Sequence, residues 1–150
     1  HEIKYLNNKQ LAQVMGEKMG RKLLVKWGHN APDLLIPVPL HPKKLHLRGY
    51  NQSELLARGI SNITEVPTHP KLLERRVHTA TQTKKGKYDR WDNVEDIFKV
   101  NNPNRWKNKH LCIVDDVITT GSTIESCVRI LQNSIEGVEV SVISLAIAKK

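Results

Sequence analysis

The chain has 150 residues, of which 39% are hydrophobic and 5% aromatic, and its formal net charge is +9 at pH 7. This length fits a single domain with a sizeable core, and no segment has the roughly 18 consecutive apolar residues that a membrane-spanning helix needs. No signal peptide is visible, and no membrane partner is expected. The positive charge predicts an anionic partner, for which a polyphosphate substrate and a nucleic acid are both candidates.

The two cysteines, Cys112 and Cys127, fall inside a predicted strand and a predicted helix. We therefore expect them to be buried free thiols rather than a disulfide. The sequence has no CxxC pair that would indicate a zinc site. Free thiols are typical of a reducing compartment, so a cytoplasmic location is expected.

The first half of the chain predicts two helices and a strand. Apolar residues three and four positions apart over residues 9–27 predict an amphipathic helix. Residues 34–38 (LLIPV) predict a buried strand that ends at its prolines. Residues 41–50 (HPKKLHLRGY) predict a basic loop, and Asn51 with Glu54 predicts the capped start of a helix over residues 52–60.

In the second half, strands and helices alternate around one long polar segment. Residues 72–77 predict a strand, and residues 78–91, which lack periodicity, predict a long loop. A helical turn near 91–94, a strand over 97–100 and a turn over 101–104 are expected next. A strand over 111–114, a helix over 123–134 and a strand over 138–148 complete the chain. This alternation predicts an α/β fold with a parallel, doubly wound sheet and right-handed crossovers.

The most informative stretch is residues 114–123, which read VDDVITTGST. Asp115 and Asp116 follow a predicted buried strand, at the sheet edge where open α/β folds bind ligands. The loop after them would cap the next helix, where free N–H groups and the helix dipole favour an anion. A ribose 5-phosphate fits this arrangement, with its hydroxyls on the two carboxylates. Its phosphate would lie on Thr119, Thr120, Gly121, Ser122 and Thr123.

An ordinary strand–turn–helix with a Thr or Ser cap is the structural alternative for this stretch. Two adjacent acids at the end of a buried strand are costly without a polar partner, which favours the ligand site.

Two basic segments are candidates for binding a second anion. The loop after the first strand offers a histidine donor, lysine point charges and the forked guanidinium of Arg48. Between Arg75 and Arg90 there are six Lys or Arg residues and one acid, and such a loop could fold over a pyrophosphate. Solvated basic loops and nucleic-acid binding are the alternatives. The predicted pyrophosphate-binding residues are His41, Lys43, Arg48, Arg76, Lys84, Lys85 and Arg90.

Residues 114–123 resemble the signature with which type I phosphoribosyltransferases bind PRPP (5-phosphoribosyl 1-pyrophosphate). Together with PVPLHPKK, RGYNQ, RRVHTATQT, Arg90 and Asn93-Val94, they make the chain similar to the ComF family of phosphoribosyltransferase-like proteins from about residue 6 to residue 148. This resemblance implies the type I phosphoribosyltransferase fold as one domain over residues 1–150. It also implies a small hood that reads the acceptor and a flexible basic loop at about 76–92. Residues 1–150 lack the four-cysteine zinc module that family members often carry.

The resemblance also implies an activity. PRPP would bind with Mg²⁺, which is held mainly by the substrate's own oxygens. A nitrogen, expected to belong to a base, would then displace pyrophosphate at C1 of the ribose, with Asp115 and Asp116 as the catalytic residues. The alternatives are a sensor of PRPP or a nucleotide, an accessory protein of DNA uptake in bacterial competence, and a nucleic-acid-binding protein. The sequence does not identify the acceptor or decide between a monomer and a homodimer.

Overall fold

The computed structural model describes residues 2–76 and 97–148, with side chains from residue 8 onward. The elements are α1 (Glu2–Trp27), β1 (Leu34–Pro37), α2 (Pro42–Arg48), α3 (Gln52–Thr64), β2 (Leu73–Arg75), β3 (Phe98–Val100), a 3₁₀ helix (Pro103–Trp106), β4 (His110–Ile118), α4 (Ser122–Ser134) and β5 (Glu139–Ile147). None of the helices within these residues is long and apolar enough to cross a bilayer.

A parallel three-stranded sheet in the order β1–β4–β5 forms the centre of the fold. Leu34 lies opposite Leu111 in the register, and Leu111 lies opposite Val140. On the far side of β1, Thr68 makes an isolated parallel bridge to Leu35. β2 and β3 form a separate antiparallel pair, in which Arg75 lies opposite Phe98.

The two faces of the sheet are covered by different helices because strand side chains alternate. Leu35, Cys112 and Val114 pack with α3 and with partly buried residues of α1. On the other face, Ile36 and Ile113 pack with α4 and with the β2–β3 pair. These layers confirm the predicted parallel, doubly wound α/β sheet. Both cysteines are buried and free, as predicted.

Helices α1 and α3 approach each other closely at glycines. A Cβ added to Gly16 would collide with the carbonyl oxygen of Leu56, and one added to Gly59 would collide with that of Gln13. Because neither glycine has a side chain, the two backbones can pack directly. This contact packs α1 against α3, which itself packs on the sheet through Leu56, Ala57 and Ile60. The first turn of α3 carries part of the site described below.

The prediction of a basic loop over residues 41–50 is wrong, since residues 42–48 form α2. His41 caps this short helix by accepting a hydrogen bond at Nδ1 from the Lys43 N–H at 3.1 Å, and Pro42 occupies its first turn. Gly49 ends it in the left-handed conformation with φ 78°. These caps stabilise a helix of seven residues that has no buried side chain.

The other elements occur where the sequence predicted them, with changed ends. The first helix begins at Glu2, α3 runs to Thr64, and the predicted 101–104 turn includes the start of the 3₁₀ helix. The strand predicted over 72–77 is the shorter β2. The predicted loop at 78–91 and helical turn near 91–94 lie outside the described residues.

Candidate functional site

The acidic pair lies at the end of the central sheet where β1 no longer pairs with β4. β1 pairs with β4 only as far as Val114, whereas β5 accompanies β4 to Ile118. The strand therefore does not end at residue 114 as the sequence predicted, because its pairing with β5 extends it through both aspartates. Because no residue of β1 pairs with them, Asp115 and Asp116 lie at an open edge of the sheet, where both are half-buried.

Asp115 is held by two donors on one of its oxygens. The Ser53 hydroxyl donates to Oδ1 at 3.0 Å, and the Asp116 N–H donates to the same atom at 2.9 Å. Within the described part of the chain, no N–H or hydroxyl group donates to Oδ2. Burial raises the pKa of Asp115, and the hydrogen bonds from the Ser53 hydroxyl and the Asp116 N–H oppose this rise, while the charge and the carboxyl group of Asp116 add to it. Asp116 accepts the Val117 N–H at 2.9 Å.

The loop that follows forms the N-terminal end of α4. Gly121 is the N-cap residue, with φ 84° and no side-chain cap bond. The Thr120 and Ser122 hydroxyls lie 3.0 Å apart, and Thr120 Oγ1 accepts the Ser122 N–H at 3.4 Å. Among the described residues, no acceptor contacts the N–H groups of Thr120 or Gly121. Such a helix end, with exposed N–H and hydroxyl donors, is suited to a phosphate.

Asp115 and the loop share one open cleft, which Asp116 does not line. Asp115 lines it together with Val117 and the whole of 118–124, which includes all five predicted phosphate-binding residues. Thr119, Thr120, Ser122 and Thr123 are exposed to solvent, and Gly121 is partly exposed. The structure thus brings the predicted phosphate loop and Asp115 together around the same space.

The structure does not bring the predicted pyrophosphate-binding residues together around this cleft. His41 caps α2 and Lys43 is exposed on it, and neither contacts the acidic pair. Arg48 Nη1 donates to Gln52 Oε1 at 2.5 Å, which joins it to the first turn of α3. Arg76 follows β2, and its N–H donates to the Ile97 carbonyl at 2.9 Å. Lys84, Lys85 and Arg90 lie outside the described residues.

Sequence reasoning missed Ser53 and Ser144. Ser53 lies 62 positions before the carboxylate that it contacts, and no local pattern marks it. Ser144, on β5, donates to the Ala146 carbonyl at 2.7 Å and to the Asp116 carbonyl at 3.3 Å. The described residues contain no group of three or more His, Cys, Asp or Glu that could hold a metal ion.

No protein-family model matches the chain, but individual proteins do. It is 35% identical to competence protein F of Haemophilus influenzae over 102 residues, which are 67% of this chain and 44% of that protein. It is 29% identical to the DNA utilization protein YhgH of Escherichia coli K12 over 134 residues, 87% of this chain and 58% of that one. Competence protein ComFC of Bacillus subtilis is 32% identical over 75% of this chain and 43% of its own length. The chain thus spans about half the length of these relatives.

Solved structures with the same fold are phosphoribosyltransferases. The purine phosphoribosyltransferase of Pyrococcus horikoshii matches with a TM-score of 0.51 and 19% identity, over 89% of this chain and 74% of that one. The hypoxanthine phosphoribosyltransferase of Trypanosoma cruzi, complexed with its product IMP, matches with a TM-score of 0.55 and 10% identity, over 95% of this chain and 76% of that one. The sequence and structure matches together make the chain a homologue of the ComF-type competence proteins, built on the type I phosphoribosyltransferase fold.

Proposed function

We propose that the protein binds PRPP with Mg²⁺ and transfers the phosphoribosyl group to a nitrogen of an acceptor, expected to be a base, with release of pyrophosphate. The observation that carries this proposal is the open cleft in which the N-terminal loop of α4 and Asp115 face the same space. One part of the cleft offers donors and the other offers acceptors. A ribose 5-phosphate needs both, about one sugar ring apart.

The 5-phosphate would occupy the loop at 119–123. The N–H groups of Thr120 and Gly121 and the exposed hydroxyls supply donors to its oxygens. The dipole of the 13-residue helix α4 adds a favourable charge at this end. Because Gly121 has no side chain, the phosphate can approach the backbone directly.

The ribose hydroxyls would donate to Asp115 Oδ2 and to Asp116. In the reaction, the bond from C1 to the pyrophosphate oxygen breaks with its electron pair, and the acceptor nitrogen forms the new bond to C1 and then loses its proton. Positive charge develops on C1 and the ring oxygen between these events. The two fixed carboxylates lie near that charge and stabilise it more than they stabilise the neutral ribose.

Magnesium enters this proposal as part of the substrate, Mg·PRPP. In this proposal the ion is held by the oxygens of the diphosphate and the ribose. Its chemistry there is to neutralise charge on the departing pyrophosphate.

The pyrophosphate would lie on the α2 side of the cleft. Arg48 is joined to the first turn of α3 through Gln52 and can present its remaining N–H donors to a diphosphate. His41 uses Nδ1 to cap α2, which leaves Nε2 as a donor. Further charge would come from Lys43, Arg76, Lys84, Lys85 and Arg90.

Calorimetry with ribose 5-phosphate and with PRPP plus Mg²⁺ tests the binding step directly. We expect both to bind, and PRPP to bind more tightly because it adds the diphosphate. A pyrophosphate-release assay with purine and pyrimidine bases then tests the transfer. If neither ligand binds, the proposal is refuted, whereas PRPP binding without pyrophosphate release from any base refutes the transfer step alone.

The names of the relatives favour a second candidate function. Competence and DNA utilization fit a protein that senses PRPP or a nucleotide, or assists DNA uptake, without turnover. The net charge of +9 would then also serve weak, non-specific DNA binding, with Kd of about 10⁻⁴–10⁻⁶ M near physiological salt. Under either function, we propose that the protein is cytoplasmic and forms a homodimer.

The two functions separate in a comparison of variants. Asp116→Asn should weaken PRPP binding and leave DNA binding unchanged or slightly stronger, since it removes a negative charge. Neutralising Lys84, Lys85 and Lys87 should weaken DNA binding. Tight DNA binding that survives moderate salt, in a protein that does not bind PRPP, would favour the nucleic-acid function.

A further inference from the structure

Ser53 is a polar side chain in an otherwise apolar interior. It is 4% exposed. Every other buried residue that the structure describes is an apolar core residue, a proline or a glycine. A buried hydroxyl normally requires a hydrogen-bond partner. The partner of Ser53 is Asp115 Oδ1, on a strand 62 positions further along the chain.

We infer that Ser53 is a positioning residue for Asp115: its hydroxyl holds one carboxylate oxygen, so that the other oxygen faces the cleft and accepts from the ribose. This inference rests on the proposed function, because it assigns the role of Oδ2 to a ribose hydroxyl. Asp116 N–H occupies the same oxygen, so both internal donors leave Oδ2 for the ligand.

The first turn of α3 is itself fixed to the sheet, and it can therefore serve as a rigid support. Asn51 Oδ1 accepts the Ser53 N–H at 3.1 Å, and Asn51 Nδ2 donates to the Val38 carbonyl at 3.0 Å. The Val38 N–H donates in turn to the Val114 carbonyl, beside Asp115, at 2.9 Å. The chain of bonds returns to the strand that carries the carboxylate, so it fixes the position of Ser53 relative to Asp115.

The charges around Asp115 make a neutral donor useful. Asp116 lies beside it on β4. Cys127, on α4, is a neutral thiol, since burial raises its pKa to about 12 and the charge of Asp115 adds to this rise. The charge of Arg75, on β2, lowers the pKa of that thiol and so opposes part of the rise. The donor that α3 supplies to Asp115, the Ser53 hydroxyl, is uncharged. Burial and the charge of Asp116 both disfavour ionisation of Asp115, and the Ser53 hydroxyl opposes them.

Ser53→Ala tests this inference, with Ser126→Ala as the matched control. Among the described residues, the Ser126 hydroxyl bonds only the Ser122 carbonyl of its own helix, at 3.0 Å. Ribose 5-phosphate affinity is measured by calorimetry in both variants between about pH 8 and about pH 5.5, a range that reaches toward the titration of a raised carboxyl. The ¹³C-NMR titration of Asp115 is recorded without ligand, and Ser53→Cys, with a weaker donor of similar size, serves as a second variant.

We expect Ser53→Ala to bind ribose 5-phosphate about five- to tenfold more weakly at the higher pH, as befits the loss of a hydrogen bond to a charged group. The deficit should widen as the pH falls, because the variant carboxyl protonates first. Ser53→Cys should be intermediate, and Ser126→Ala should match the wild type.

Each other outcome overturns the inference in a recognisable way. Equal affinities in Ser53→Ala and the wild type would refute it while the proposed function stands. A changed melting temperature with unchanged affinity in the folded protein would make Ser53 a purely structural residue. If the wild type binds no ribose 5-phosphate, both ideas fail, even where the NMR titration shows that Ser53 lowers the pKa of Asp115.

Discussion

Gly121 offers the sharpest test of the phosphate loop, because its replacement changes the backbone without creating a collision. Its φ is +84°, and a Cβ built on it meets nothing within 4 Å. The whole effect of Gly121→Val therefore comes from forcing a β-branched residue into the left-handed region and from placing methyl groups where a phosphate would approach.

The chain supplies a matched control for this conformational strain. Gly28, between α1 and β1, has φ +52° and also has nothing within 4 Å of an added Cβ. Gly28→Val and Gly121→Val should each cost about 1–3 kcal/mol of folding free energy. For a domain of this size, each kcal/mol lowers the melting temperature by roughly 2–4 °C.

The two variants should differ in binding. If the strained loop at Gly121 relaxes, the phosphate loses one or two charge-assisted hydrogen bonds, each worth about 1.5–3 kcal/mol. The affinity for ribose 5-phosphate should then fall at least about tenfold in Gly121→Val. Calorimetry at a temperature where both variants are folded measures this. Equal affinities in Gly121→Val and Gly28→Val would refute the assignment of the phosphate to this loop.

Four further predictions concern the acids, the long segment and the thiols. Asp115→Asn and Asp116→Asn should each weaken ribose 5-phosphate binding about 10- to 100-fold, since each loses a charged acceptor worth about 1.5–3 kcal/mol; calorimetry on the double variant would contradict this role if its affinity were unchanged. Asp115→Asn should also raise the free energy of unfolding at pH 7. The folded pKa of Asp115 lies above its unfolded value of 3.8, so its ionisation destabilises the fold as pH rises through that interval, and urea titrations should show the gain vanish below about pH 3.8. Neutralising Lys84 and Lys85 should reduce PRPP affinity more than ribose 5-phosphate affinity, and equal losses in parallel calorimetry would show that they do not bind pyrophosphate. The two thiols, with their pKa values raised by burial to about 11 and about 12, should resist an aromatic disulfide reagent at pH 8 until the chain is unfolded, and rapid colour release from native protein would contradict their burial.

The sequence predicted the core elements well because their signals are local. The apolar run at 34–38 and the 3.6-residue periodicity of the first helix depend on neighbours within one element. Helix α2 escaped prediction because its sequence, PKKLHLR, buries nothing and depends on caps at His41 and Gly49. The extension of β4 to Ile118 also escaped, since it depends on pairing with a strand nearly thirty positions later.

The site divides in the same way. Asp115 and the phosphate loop are contiguous in sequence, so one ten-residue stretch carried both the residues and their spacing. Ser53 could not be found, because its role exists only when α3 packs against β4. The basic residues are identified by their charge and donor geometry, and these properties do not reveal that Arg48 is joined to α3 through Gln52 whereas Lys43 is exposed on α2.

Burying the Asp115 carboxylate costs folding free energy, and this cost connects the fold to the proposed function. A half-buried carboxylate beside a second carboxylate opposes folding, and its raised pKa records that opposition. Ser53 and the Asp116 N–H relieve it at one oxygen and leave the other without a donor among the described residues. A site that served stability alone would gain from an asparagine or an apolar residue at this position. Asp115 lines the open cleft, and in the proposed function the oxygen that no described donor contacts accepts from a ribose hydroxyl of the substrate, beside the phosphate on the N-terminal loop of α4.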